Sequence, residues 1–192
     1  MPAGVGKDRK MGVFGFFRRN RYEQLGYELY GAAVAAARDP WLYASLGVPD
    51  TLDGRFDLVG LHTFLVIRRL QRDPAPGPAL AQAVFDAMFT DMDVNLREMG
   101  VGDLSVGKKV KIMWEAFHGR AQAYGRALDQ EDEAELAAAL ARNVWRGQPD
   151  AGGAARLAVL ARAQDRHLAG QDLTGGRVAF LPAAEAAGAA PA

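Results

Sequence analysis

The 192-residue chain contains no cysteine. Disulfides, thiolate zinc sites and cysteine nucleophiles are excluded, and the composition fits a reducing compartment. No stretch approaches the ~18 consecutive apolar residues of a membrane-spanning helix, so a transmembrane span is not expected. Net charge is lacking too, since 23 Lys and Arg offset 23 Asp and Glu. Only three histidines occur, His62, His118 and His167. They stand apart without a ligand cluster, which points to packing or hydrogen bonding rather than metal. There is no fixed-period repeat and no Gly-x-Ser-x-Gly elbow to mark a serine nucleophile. What remains is an ordinary globular composition, 49% apolar with nine Phe, three Trp and six Met to fill one core.

The zero net charge conceals an uneven distribution. Residues 1–21 carry Lys7, Arg9, Lys10, Arg18, Arg19 and Arg21 against Asp8 alone. Phe14, Phe16 and Phe17 directly precede Arg18 and Arg19. Phenyl rings can enter a bilayer interface while guanidiniums meet lipid phosphates, so these five are membrane-contact candidates. The plainer reading is a flexible, solubilising basic and aromatic tail. A basic segment on a mildly acidic body does not predict sequence-specific nucleic-acid recognition.

Apolar periodicity then predicts helix after helix. Tyr22–Ala37 is the first, interrupted at Arg38-Asp39-Pro40, with a short second helix around Trp41. Pro49, Asp50, Thr51, Asp53 and Gly54 make an ordered turn in which Gly54 is free to take a positive φ. Arg55–Arg72 carries apolar residues nearly all round and is expected to be central. A proline-rich loop, Pro74 to Pro78, separates it from a helix over Ala79–Met99. Val106–Leu128 has the clearest stripe, through Val106, Val110, Met113, Trp114, Phe117, Ala121, Tyr124 and Leu128, with Asp103 or Ser105 as its cap. Glu133–Trp145 and Ala155–Leu168 follow. Val178–Leu181 reads as a short extended segment, and residues 182–192 as a disordered tail. The expected fold is all-α: one compact domain of six or seven packed helices over 22–181, behind a flexible tail over 1–21.

Two chemical motifs tempt. Gly102-Asp103-Leu104-Ser105-Val106-Gly107-Lys108 begins like a phosphate-binding loop, but Lys109 stands where a magnesium-binding Ser or Thr belongs, and no strand precedes it. Asp91, Asp93 and Asn95 imitate a calcium loop, yet Leu96 and Gly102 occupy the positions that need glycine and glutamate. Both are read as decoys, and no catalytic residue, cofactor or metal is assigned. Asp86 and Asp93 are read as partners for arginines on neighbouring elements or as part of a surface that recognises another protein.

The stronger pattern is a charged one. Asp50, Asp53 and Arg55 sit in the ordered turn, Arg97 and Glu98 close a helix, and Lys108, Lys109 and Lys111 open the next. Arginine can make several bonds to carboxylates. Two readings fit: these residues join helices within one domain, or they flank a groove that recognises a segment of another protein.

The run Val48-Pro49-Asp50-Thr51-Leu52-Asp53-Gly54-Arg55-Phe56-Asp57, then Leu61-His62, and the stretch from Asp91 to Asp103 resemble the ubiquinol–cytochrome c chaperone family. Val106 to Lys111, Gly119-Arg120, Tyr124 and Arg142-Asn143-Val144 continue the resemblance, over roughly residues 22–146. The resemblance implies a non-enzymatic assembly factor for the cytochrome bc1 complex. Its implied partner is newly made cytochrome b or its assembly intermediate, with contact to the ribosome and a small partner subunit as further implied features. It implies a bacterial member working in the cytoplasm, peripherally at the inner face of the cytoplasmic membrane. Helix-in-groove recognition suits an apolar client, and exposed Met side chains adapt to varied surfaces. Two rival readings are a small anion- or cofactor-handling enzyme centred on residues 97–111, and a membrane-surface scaffold using residues 11–21.

Overall fold

The computed structural model describes residues 9–148 and 150–188, with side chains from Arg21 onward. Its helices are α1 (Arg9–Ala37), α2 (Pro40–Ala44), α3 (Leu52–Gln71), α4 (Gly77–Glu98), α5 (Asp103–Asp129), α6 (Glu133–Leu140), α7 (Gly153–Ala169) and α8 (Ala183–Ala186). No strand interrupts them among the described residues. The all-α single domain expected from periodicity is the architecture observed. The six longer helices carry most of the core, and the short α2 and α8 pack against each other beside it, adding Leu42, Ala183 and Ala186.

Helix α3 is the hub. Thr51 caps it by accepting from the Gly54 amide at 3.1 Å. Asp53 in its first turn and Arg68 and Arg69 in its last complement the helix dipole. Leu58, Leu61, Leu65, Val66 and Leu70 are buried around much of its circumference, and α1, α4, α5 and α7 all pack on it. Each fully buried leucine contributes about 1.5–3 kcal/mol through apolar area removed from water. Gly54 does not take a positive φ. It lies in the first turn of α3, where a Cβ would run into the Pro49 carbonyl. Its lack of a side chain thus serves close approach, not turn geometry.

The tightest helix pair is α1 with α4. A Cβ on Gly26 would lie 2.6 Å from the Ala83 carbonyl carbon, so the two backbones meet with no room for a methyl group. The proline-rich loop is shorter than expected, because α4 starts at Gly77 with Pro78 in its first turn, where the missing amide costs nothing.

Three further boundaries differ from the sequence reading. Helical backbone begins at Arg9, well before Tyr22; Gly12 and Gly15 mask the continuity of that pattern. Helix α5 starts at Asp103 with Gly102 at the capping position, so neither Asp103 nor Ser105 caps it. Ala183–Ala186 forms a helical turn with Ala183 and Ala186 buried, where a disordered tail is expected. Alanine has too little side chain to announce such packing in sequence.

Residues 178–181 form neither helix nor strand. Side-chain amides hold them instead. Gln164 of α7, almost fully buried, accepts from the Leu181 amide at 3.0 Å and donates to its carbonyl at 2.8 Å. Gln171 does the same for Ala179, at 2.9 and 2.7 Å. Phe180 meets the edge of buried His62 at 5.3 Å between ring centroids. His62 Nδ1 donates to the Leu58 carbonyl at 2.9 Å, and burial pushes its pKa down, favouring the neutral ring.

Candidate functional site

The sequence places Asp50, Asp53 and Arg55 just before and within the first turn of α3, and the structure builds a cleft beside them. Four long helices supply most of its lining, each with one helical stripe. Helix α1 gives Tyr30 and Val34, with Arg38 just past its end; α3 gives Leu52, Phe56 and Val59. Helix α4 gives Met92 and Leu96, with Met99 just past its end, and α5 gives Lys109, Ile112, Met113 and Ala116; Tyr43 of α2 completes the wall beside α1. The enclosed space is about 880 Å³. Apolar side chains at its rim stand well out: Leu52 is 64% exposed, Met99 50% and Ile112 55%.

The start of α5 is thinly covered. Val106 and Phe117 are the buried residues of its first half, and Leu104 is fully exposed. The predicted stripe holds at Val106, Phe117, Tyr124 and Leu128, but Trp114 is 45% exposed and stacks on His118 at 4.0 Å.

Beside the cleft lies a buried ion-pair cluster. The Asp57 carboxylate of α3, 1% exposed, receives Arg120 of α5 and, at 3.0 Å, Arg146. Arg146 also reaches Asp53. Burial pushes the Asp57 carboxyl up, and the two guanidiniums oppose that by attraction. Arg146 is positioned by an irregularity. After α6 the chain widens into a π-helical turn, Ala141–Trp145, and Arg146 then takes a left-handed conformation at φ 53°. Such a non-glycine conformation costs on the order of 1–3 kcal/mol, and the ion pairs to α3 oppose that cost. Trp145 Nε1 donates to the Gly47 carbonyl at 3.0 Å and pins the same corner.

The candidates of the sequence reading divide. Asp53, Arg55 and Lys109 line the cleft. Asp50 holds Arg55 at its edge, 2.5 Å from Asp50 Oδ1 to Arg55 Nε, and that bond keeps the Asp50 carboxyl below its ordinary range. Arg97 instead binds Asp93 one turn back, at 2.6 Å, and Asp103 across the α4–α5 corner. It is a corner brace. Glu98, Lys108 and Lys111 are exposed but lie outside the lining; Lys111 approaches Glu115 at 3.9 Å. At 100° per residue Lys108 and Lys111 cannot share the face of Lys109. Phe14, Phe16, Phe17, Arg18 and Arg19 lie outside the residues whose side chains are described.

The decoys resolve as helix surface. Asp103 to Lys108 are helical rather than a loop, and from Ser105 onward their amides are bonded back along the chain. Asp91 accepts from the Tyr30 hydroxyl at 2.7 Å. Burial and that bond hold the Tyr30 phenol above its usual range. Asn95 donates to the Asp91 carbonyl at 2.7 Å. Asp86 accepts from Gln82 at 2.8 Å rather than from an arginine, and Asp93 binds its own helix.

Sequence reasoning missed the apolar members Leu52, Met99 and Ile112, and the arginines Arg120 and Arg146. Spacing held a signal for Ile112: with Lys109 and Ala116 it forms a second stripe on α5, meeting the core stripe at Met113.

An open apolar cleft with charged walls is the form that a helical binding domain takes. The chain belongs to the ubiquinol-cytochrome C chaperone family, whose model matches residues 44–178. It is similar to the ubiquinol-cytochrome-c reductase complex assembly factor 1 of Xenopus laevis, 25% identical over 142 residues, spanning 73% of this chain and 70% of that protein. Its fold matches the crystal structure of the Cbp3 homolog from Brucella abortus with a TM-score of 0.78 and 35% identity, over 89% of this chain and 97% of that one.

Proposed function

We propose that this chain is a non-enzymatic assembly chaperone of the ubiquinol–cytochrome c reductase (bc1) complex, and that it holds newly made cytochrome b until later subunits or cofactors displace it. Family membership and the assembly-factor relative support the class of function. The observation that carries the holding role is the cleft, with apolar residues left half-exposed at its rim and charged residues around them. Capture of this kind draws on apolar burial and needs no nucleotide; release follows from competition for the same surface. The place of work is the inner face of a bacterial cytoplasmic membrane, approached peripherally. No helix among the described residues is long and apolar enough to cross a membrane. Ribosome contact and a small partner subunit belong to the same proposal.

Deleting the gene and following pulse-labelled cytochrome b tests this reading. The expected result is a shortened cytochrome b lifetime and loss of assembled bc1 complex, restored by the intact chain. An unchanged lifetime with normal bc1 levels overturns it.

A further inference from the structure

Resting on the chaperone reading, we infer that the cleft between α1, α3, α4 and α5 takes a short amphipathic helix of the client, apolar on one face and carrying carboxylates at its flanks. The shape comes first. All four walls are helices whose lining residues recur three and four positions apart, so the surface offered is one of side-chain ridges and intervening grooves. Such a surface is matched by the ridges of another helix. A helix also satisfies its own amides and carbonyls internally, which suits walls made of side chains rather than of open main chain.

The floor sets the apolar face of the occupant. Three of the chain's six methionines, Met92, Met99 and Met113, line this one cleft. Unbranched, polarisable thioethers repack around different aliphatic shapes at little cost. Leu52 and Ile112 flank them with more than half of their surface in water, a cost recovered when an apolar partner covers them.

Charge sets the flanks. Of the two lining carboxylates, Asp53 is paired with Arg146, while Asp91 accepts from the neutral Tyr30 hydroxyl and keeps its charge, one negative charge against two cations at the rim. Arg38, just past α1, and Lys109 of α5 are exposed and form no ion pair among the described residues. The charge left over in the cleft is therefore positive, and it stands on two of its walls. Complementarity at such a rim selects acidic flanks and rejects basic ones.

The full-length chain and two fluorescein-labelled peptides test this. Each peptide has about 18 residues, long enough for helix formation, with leucines at i, i+4 and i+7; one has glutamates at both ends and the other lysines. The expected result is affinity about tenfold higher for the glutamate peptide. An Arg38→Glu, Lys109→Glu double variant reverses that preference. Ile112→Asp weakens both peptides by at least about tenfold while its melting temperature stays unchanged, since the side chain is already half in water. Equal affinity for the two peptides overturns the inference, as does undiminished binding by Ile112→Asp. A concentration-dependent dimer abolished by Ile112→Asp reassigns the cleft to a second copy of the chain, and a co-purifying lipid lost in that variant reassigns it to an acyl chain; either result overturns the helical occupant. If the peptides fail while cytochrome b lifetime still depends on the chain, only this inference falls. If that dependence is absent, the chaperone reading itself falls.

Discussion

Arg120 on α5 and Arg146 beyond α6 converge on one carboxylate, Asp57 of α3, so a single buried charge ties three segments beside the cleft. Breaking such a pair from one side strands a charge in a poorly solvated place, which costs about 3–5 kcal/mol when no partner remains. Arg146 stays behind when Arg120 is removed, so Arg120→Ala should destabilise the domain by about 3 kcal/mol in urea unfolding, the lower end of that range. Adding Asp57→Asn should restore part of the loss, because the amide carries no charge to compensate. Additive losses in the double variant would show that the pair is not coupled.

Gly26 tests the α1–α4 contact. Alanine raises helix propensity by about 1 kcal/mol over glycine. Here its methyl group would meet the Ala83 backbone at 2.6 Å. Gly26→Ala should therefore lower stability by about 1–3 kcal/mol, as overpacking does. A stabilised variant would mean that the helices separate freely.

His62 gives a pH dependence of fixed sign. Its folded pKa lies below the ordinary 6.5 because the ring is buried. On acidification the unfolded chain takes up the proton first, so the contribution of this residue is full above the unfolded pKa and is lost as pH falls towards the folded one. As pH falls from about 7.5 to about 5.5 the wild type should lose more stability than a His62→Phe variant does. Equal slopes for the two proteins would refute it.

Gln164 should matter more than a polar residue on an alanine-rich helix normally does. Gln164→Ala removes both bonds to Leu181 and leaves its main-chain groups unsatisfied. A loss of about 1–3 kcal/mol is expected, with faster amide exchange at Leu181. Unchanged exchange there would show that Gln171 and Phe180 hold the segment without Gln164.

The lysine cluster should split functionally. Lys109→Glu alone is expected to reduce capture of newly made cytochrome b as much as reversal of all three lysines. The Lys108→Glu, Lys111→Glu pair should leave it unchanged in pull-down. Equal loss from that pair would place the client elsewhere on α5.

Much of this fold is legible in the sequence because burial imposes periodicity. Helix α3 reads as central, since only a helix touched from several sides carries Leu58, Leu61, Leu65 and Val66 around so much of its girth. The site is legible only in part. Asp53, Arg55 and Lys109 stand out by charge, but a cleft is made between helices, and periodicity within one helix cannot say which neighbour leaves a face uncovered. Trp114 looks like core for that reason and is not buried. Arg146 depends on a π-helical turn, which a regular helical pattern has no means to announce. Gly54 reads as a turn residue because the sequence cannot show the Pro49 carbonyl lying over it.

The glutamine clips on residues 179 and 181 have an implication for handling nascent polypeptide. An extended stretch with idle amides and carbonyls invites another chain to zip onto it, which is how amyloid-like growth starts. Here the N–H and C=O of Ala179 and Leu181 are already taken up by Gln171 and Gln164, and Pro182 brings no N–H of its own. That edge is therefore closed to β-addition by any unfolded chain that meets it.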